Sequence, residues 1–411
     1  MLGRIRGVER GFRFRTPRAV ASAATPPIPG HMIRDSSQSR RSRRILFNGL
    51  VLLVATVVSL LGAEGLVRLV APQQLIIKRP DIWRPDDELG WVHRAGVSTT
   101  VNTGERTVRF ITDSLGFRVG REGRPESETD ILVLGDSFME ALQVEYRNSV
   151  PGLLQRRLPE RLRRPVSVYN AAVGAWEPSH YLLQARRVLQ RPIEFDLALV
   201  FLYVANDVPT SRQSEFAPRP PEETHNLRLP KGVSWGELVD AVLYPINDLL
   251  ETRSHLYVLL KNRLDVLRMR LGLTAAYFPD VFRRSERDSD RWRVTASICA
   301  DISSIFAKRD VPTLFVLLPN QLQVDRTRLR SYLKGFDIPS DSVSVEQPNR
   351  LLTERLEKHG VRYVDLLSSF RQAHRAEKQL YGRVDPHLSP TGHDVVFREI
   401  HPFVTSLLSG R

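Results

Sequence analysis

The sequence predicts an α/β protein, a three-layer α/β/α sandwich on a parallel sheet, preceded by one transmembrane helix. Three observations predict it. Short apolar runs recur at 131–134 (ILVL), 166–169 (VSVY), 197–204 (LALVFLYV), 312–318 (PTLFVLL) and 361–365 (VRYVD), and such runs read as strands buried on both faces. Amphipathic stretches such as "SVPGLLQRRLPERL" and "PSHYLLQARRVLQ" separate them, and strands alternating with helices imply parallel pairing with helices on both faces. Finally, residues 45–63, "ILFNGLVLLVATVVSLLGA", are nineteen residues without a charge, about 28 Å as a helix and close to the thickness of a bilayer core.

The N-terminal end is read from charge. Of the formal +14 on 411 residues, the first 44 carry +9, from eleven Arg against Glu9 and Asp35. This tail is poor in apolar residues and rich in Arg, Ser and Pro, so it is expected to be a disordered cytoplasmic segment. On the far side of the apolar run, residues 64–90 carry Arg68, Lys78, Arg79 and Arg84 against Glu64, Asp81, Asp86, Asp87 and Glu88. That asymmetry orients an uncleaved anchor with its N-terminus in the cytoplasm and the bulk of the chain outside. The competing reading, a cleaved signal peptide, is disfavoured because the run is long and Leu61-Gly62-Ala63 is a poor cleavage site. With the basic charge in the tail, nucleic acid is not an expected partner.

Residues 64–127 read as a juxtamembrane β-rich connector, with alternating stretches such as "TVRFIT" and the loop "ITDSLGFR". Residues 128–411 read as the main domain, interrupted by an insertion at about 208–290. In open α/β sheets ligands bind outside the carboxyl ends of strands, so an insertion after the third run is expected to overhang the site. The single Cys299 lies in the helical pattern "RVTASICADISSIFA" and reads as core.

Chemistry-bearing residues fall where those strands end. The first run exits into Gly135, Asp136 and Ser137, at the start of a helical segment. Alone, this triplet is a strand-to-helix turn with Asp136 as the cap; a serine there is also placed to act as a nucleophile, provided a base, an orienting acid and oxyanion donors accompany it. The second run exits into "NAAVGAW", placing Gly174 where a backbone N–H is unhindered by a Cβ. The third exits into "VANDVP", placing the Asn206 amide, and the chain after the fifth gives "DPHLSPTGH" with Asp385 and His387.

The blocks "GDSF", "NAAVG", "AND" and "DPH", in this order over residues 128 to about 405, resemble those of the SGNH (GDSL-type) hydrolase superfamily. The anchor, "ITDSLGFR" and "DPHLSPTGH" look most like bacterial envelope members associated with polysaccharide modification, including relatives of alginate O-acetyltransferases. The resemblance implies a flavodoxin-like sheet with Ser137 as nucleophile, His387 as general base and Asp385 as its orienting acid. It further implies an oxyanion hole from the N–H groups of Ser137 and Gly174 with the Asn206 amide. It points to a serine esterase removing O-acyl groups from an envelope or exported glycan, with the domain on the periplasmic side of a bacterial inner membrane. An acyltransferase sharing the acyl-serine intermediate, and a glycan-binding protein on a decayed hydrolase fold, are the alternatives. Two positions depart from the family pattern: Val204 replaces a glycine and is expected to narrow the oxyanion approach, and the acid lies two residues before the histidine rather than three. Pro386 disfavours helix at Asp385, so an extended Asp385 should place both side chains on one face.

The remaining candidates read as structural. Ser389 and Pro390 suit the N-cap and first residue of a helix. His393 is the fallback base and Asp365 the fallback acid. No metal-ligand spacing, dinucleotide fingerprint or phosphate loop is present, so no cofactor or metal is expected.

Overall fold

The computed structural model describes residues 36–75, 79–209, 246–247, 249–270 and 278–409. The basic tail, except its last residues, and much of the 208–290 insertion therefore lie outside the described residues. The chain forms two compact units, residues 1–60 and 61–411. The first is helical wherever it is described. That helix runs Ser36–Val70, longer than the apolar run itself. Its stretch Arg43–Val70, which includes an 18-residue window with a mean hydropathy of 2.4, is long and apolar enough to cross a membrane.

The second unit is built on an eight-stranded sheet. Five parallel strands form its centre: β6 (Thr129–Leu134), β7 (Val166–Asn170), β8 (Leu197–Tyr203), β9 (Thr313–Leu318) and β10 (Tyr363–Asp365). Their spatial order is β10-β9-β8-β6-β7, the flavodoxin-like order, in which the first strand lies between the second and the third. Alternate residues of one strand face opposite layers. Ile131 and Val133 join a core with the helices Val150–Leu162 and Pro390–Ser409, while Leu132 and Leu134 join a core with Pro178–Leu189 and Arg291–Ala307. Both faces of β6, β8 and β9 are thus almost entirely dry, which is why these runs contain few polar residues. Cys299 is fully buried in the second of these cores.

The stretch read as a separate connector is joined to this sheet. β3 (Ser98–Asn102), β4 (Thr107–Thr112) and β5 (Arg118–Val119) continue it in antiparallel fashion from the β7 edge. An uncovered edge would leave a row of backbone groups unpaired, and these strands cover it. A separate hairpin, β1 (Trp83–Asp86) and β2 (Gly90–His93), precedes them.

The loop "ITDSLGFR" is a hydrogen-bonded turn that delivers one buried cation. The Asp113 carboxylate accepts the N–H groups of Leu115 and Phe117 at 2.7 and 3.0 Å. Gly116 has φ +81°, and a Cβ there would stand 2.9 Å from the His93 carbonyl oxygen. Arg118 follows, with no exposed surface. Its guanidinium donates to the carbonyls of Glu140, Ala141 and Val144 at 2.5, 2.5 and 2.7 Å. The first two of these carbonyls lie at the end of the short helix Ser137–Glu140, where a cation also suits the dipole. Burial pushes the Arg118 pKa down to about 10, against the opposing charge of Glu140, and at neutral pH it remains a cation. Charge-assisted bonds of this kind contribute roughly 1.5–3 kcal/mol each when one partner is removed. Arg118→Met should therefore lower the unfolding free energy by about 3 kcal/mol or more in urea titrations of the full-length protein, and an unchanged midpoint would contradict this role.

Candidate active site

The site is assembled at the carboxyl ends of β6, β7 and β8, where the strand order reverses and an open α/β sheet leaves a crevice. Asp136 ends β6 as the helix N-cap, its carboxylate accepting the N–H of Phe138 at 2.9 Å. Ser137 is the first helical residue and half-buried. Its N–H is among those without an intrahelical partner.

The Ser137 Oγ lies 2.8 Å from His387 Nε2, and His387 Nδ1 lies 2.5 Å from Asp385 Oδ1. The structure thus brings Ser137, His387 and Asp385 into one hydrogen-bonded line. Asp385 reaches the imidazole from a bend, not from the extended chain expected of it. The same Oδ1 accepts the backbone N–H of His387 at 2.9 Å, which closes an Asx turn. A side chain that folds back on the residue two ahead explains how the short spacing suffices. The Phe138 ring, 4.9 Å from the imidazole between centroids, supports its face and stacks in turn on Tyr203.

Of the other two sequence-predicted oxyanion residues, Gly174 stands beside Ser137 and Asn206 reaches the neighbouring Asp136. A Cβ on Gly174 would lie 3.7 Å from Ser137 Cβ and 2.6 Å from Glu140 Oε2, so any side chain there would have to displace the Glu140 carboxylate. Asn206 is exposed after β8, and its Nδ2 donates to Asp136 Oδ2 at 3.5 Å. An amide nitrogen has two protons, which leaves the second for a ligand. The following Asp207 is buried and anchors this loop by accepting from Tyr181 Oη at 2.8 Å and Tyr203 N at 2.9 Å. Val204 is wholly buried among the core residues beneath. It therefore does not narrow the approach as expected, because its side chain points into the core.

The fallback residues are occupied elsewhere. His393 is buried with Nδ1 accepting from Val150 N at 3.3 Å, and burial holds its pKa down at about 3. Asp365 accepts from Asn349 Nδ2 at 2.6 Å and Leu367 N at 3.0 Å. Ser389 Oγ accepts the Gly392 N–H at 3.1 Å, at the start of the helix from Pro390. Among the described residues no group of three His, Cys, Asp or Glu side chains is placed to hold a metal ion.

Sequence reasoning missed the ring of connector residues around the site. Glu140, three residues after Ser137 and almost fully buried, accepts from His93 Nε2 at 2.6 Å and from Trp83 Nε1 at 3.0 Å. Trp91 Nε1 donates to the Gly174 carbonyl at 2.9 Å, and Glu105 accepts the N–H of Val384 at 3.0 Å. The one available signal was Glu140 itself, an acid at i+3 on the face of a helix that carries a serine.

Charge sets the base. Burial alone would lower the His387 pKa, but the hydrogen bond and charge of Asp385, with the charges of Asp136 and Glu140, outweigh it and raise the pKa above the usual histidine value. Asp385 moves the opposite way, below the usual carboxylate value. Burial opposes this, but the His387 bond and charge and a bond from Gln143 prevail. Asp136, wholly buried, is pushed up to about 6 by burial, despite the Phe138 N–H and the His387 charge.

No family model matches this chain, and no curated protein does. Solved structures overlap it loosely. A member of the lipolytic G-D-S-L family from Veillonella parvula is 9% identical, covering 67% of this chain and 98% of its own, with a TM-score of 0.35. A lipase/acylhydrolase from Enterococcus faecalis is 13% identical over 68% of this chain and 96% of its own, at 0.34. An acetyl-xylooligosaccharide esterase from Geobacillus is 14% identical over 68% and 94%, at 0.34. Overlaps of that size assign neither an activity nor a substrate.

A base acts when neutral, so activity should rise with pH through a midpoint above about 6.5, and be lost as pH falls through it. In Asp385→Asn the largest upward influence on His387 is removed while burial remains, so the midpoint should move below that of the wild type. If Asp385 orients the base, the rate should fall about 10⁴-fold. A pH profile of kcat/KM on a soluble ester checks both; an unmoved midpoint would contradict the assignment.

Proposed function

We propose that this protein is a serine esterase of the SGNH type, anchored in the bacterial inner membrane with its catalytic domain on the periplasmic side. On this reading it removes O-acyl groups from an envelope or exported polysaccharide. The observation that carries the catalytic part is the line Ser137–His387–Asp385 at the reversal of strand order, with Gly174 beside the serine and Asn206 reaching the neighbouring Asp136. The location rests on the apolar helix and the charge asymmetry across it.

In the first step Ser137 Oγ attacks the ester carbonyl while neutral His387 Nε2 takes its proton. The imidazolium is stabilised by Asp385, which remains ionised. Negative charge forms on the carbonyl oxygen, where the N–H groups of Ser137 and Gly174 and the free proton of the Asn206 amide converge. The helix N-terminus at Ser137 adds to this. His387 then returns the proton to the departing sugar alkoxide, leaving an acyl-serine. Water, deprotonated by the same imidazole, releases the carboxylic acid and restores the enzyme. A sugar hydroxyl arriving in place of water would make the same machinery an acyltransferase.

The deciding experiment incubates the full-length protein with an activated acetyl ester, with and without an oligosaccharide acceptor. Acetate release that needs no acceptor supports the esterase, product on the sugar gives the transferase, and no Ser137-dependent turnover leaves a binding protein. Ser137→Ala should reduce kcat/KM at least ~10⁴-fold. Asn206→Ala should be milder, about 10²- to 10³-fold, and full turnover by Asn206→Ala would remove the amide from the oxyanion hole.

A further inference from the structure

Among the described residues, large apolar side chains that stay exposed beyond residue 60 are concentrated in two stretches. One is the last turns of the anchor helix, with Leu66, Leu69 and Val70; the other runs from Ile246 to Leu267, and Phe403 alone stands apart from both. In the second stretch the helix His255–Arg270 carries Leu260, Leu264 and Leu267, which are 59%, 47% and 51% exposed. Their spacing of four and three residues places them on one face. The helix carries Lys261, Arg263, Arg268 and Arg270 against Asp265; Lys261 pairs with Glu251, and Arg268 with Asp265 at 3.4 Å.

The two stretches are bonded to each other. Glu64, the first residue after the apolar run, accepts from Ser254 Oγ at 2.8 Å, His255 N at 3.0 Å and Leu256 N at 2.8 Å. It thereby caps the second helix from about 190 residues away in sequence. Arg68 pairs with Glu64 at 2.6 Å and donates to the Arg253 carbonyl at 2.8 Å, and Gln73 N donates to His255 Nδ1 at 2.8 Å. A chain leaving a bilayer at residue 63 therefore starts the helix at 255 within a turn of the membrane edge.

We propose that the helix 255–270 is an interfacial helix lying on the anionic bilayer that holds the anchor. Its three leucines enter the boundary between headgroups and acyl chains, and Arg263 and Arg268 meet lipid phosphates. A helix whose exposed face carries leucines flanked by basic residues binds such a surface by apolar burial plus attraction to anionic headgroups. Cation and leucine thus have one occupant, a lipid surface. The proposal rests on residues 45–63 being an anchor and is independent of the chemistry at Ser137.

The test uses full-length protein in vesicles of phosphatidylcholine and phosphatidylglycerol. Cys299 is buried, so single cysteines introduced by Leu264→Cys, Leu260→Cys, Leu52→Cys and Lys308→Cys can be labelled with an environment-sensitive fluorophore. Lipids bearing a quencher near the headgroup should quench the labels at 260 and 264 several-fold more than the exposed label at 308. Arg263→Glu with Arg268→Glu should reduce that quenching at least twofold while leaving hydrolysis of a soluble ester unchanged. Quenching at 52 by acyl-chain quenchers without quenching at 260 and 264 overturns the interfacial helix and keeps the anchor. No quenching at any of the three removes the anchor and this proposal with it. Labels at 260 and 264 shielded from aqueous iodide yet untouched by lipid quenchers point to a protein contact, which also overturns it.

Discussion

The arrangement of the site depends on how the four-residue helix Ser137–Glu140 is held. A helix of one turn has no stability of its own in water. Here Asp136 caps its first N–H groups, and the Arg118 guanidinium takes its last carbonyls. Asn170 Nδ2 adds a bond to the Met139 carbonyl at 2.9 Å. Each of these partners is buried and comes from a different part of the chain. Ser137 is thereby fixed at the carboxyl end of β6 in a position that propensity alone would not keep.

The segment between the anchor and β6 supplies much of that support. Arg118 holds the serine turn, Trp91 bonds the carbonyl of Gly174, and Glu105 bonds the loop that carries Asp385 and His387. Three of the four segments of the site are thus tied to residues 83–119, while the Asn206 loop is anchored through Asp207 to Tyr181 and Tyr203. His93 and Trp83 converge on Glu140, whose carboxylate fills the space that a side chain at 174 would need. On the proposed function the site residues must be held to fractions of an ångström by packed neighbours, and these strands supply such neighbours. On the proposed function, they also link the membrane side of the chain to the chemistry.

The parallel strands were legible because burial on both faces writes itself as unbroken apolar runs, and the five runs match β6 to β10 within one or two residues at most ends. Helix starts at Val150, Pro178 and Pro390 were legible from Ser, Pro and apolar spacing. The attachment of β3 to β5 was not, since antiparallel pairing to a distant edge is a long-range contact that local periodicity does not record. The same holds for His93, Trp91 and Glu105, which carry no spacing relation to the residues they bond. Proximity of Asp385 to His387 was legible, while its route was not: an extended chain was expected and an Asx turn is present. Val204 was misjudged because the direction of a side chain at a strand exit follows the sheet and not the motif.

The central claim is that Ser137 is a nucleophile activated by His387, and it is tested most directly by covalent capture. The full-length protein would be treated with a fluorophosphonate, which reacts with activated serines, and the adduct mapped by peptide mass spectrometry. The account predicts a single adduct on Ser137 that is lost in His387→Ala while Asp365→Asn retains it. An adduct on another serine, or labelling of Ser137 that does not depend on His387, would contradict it.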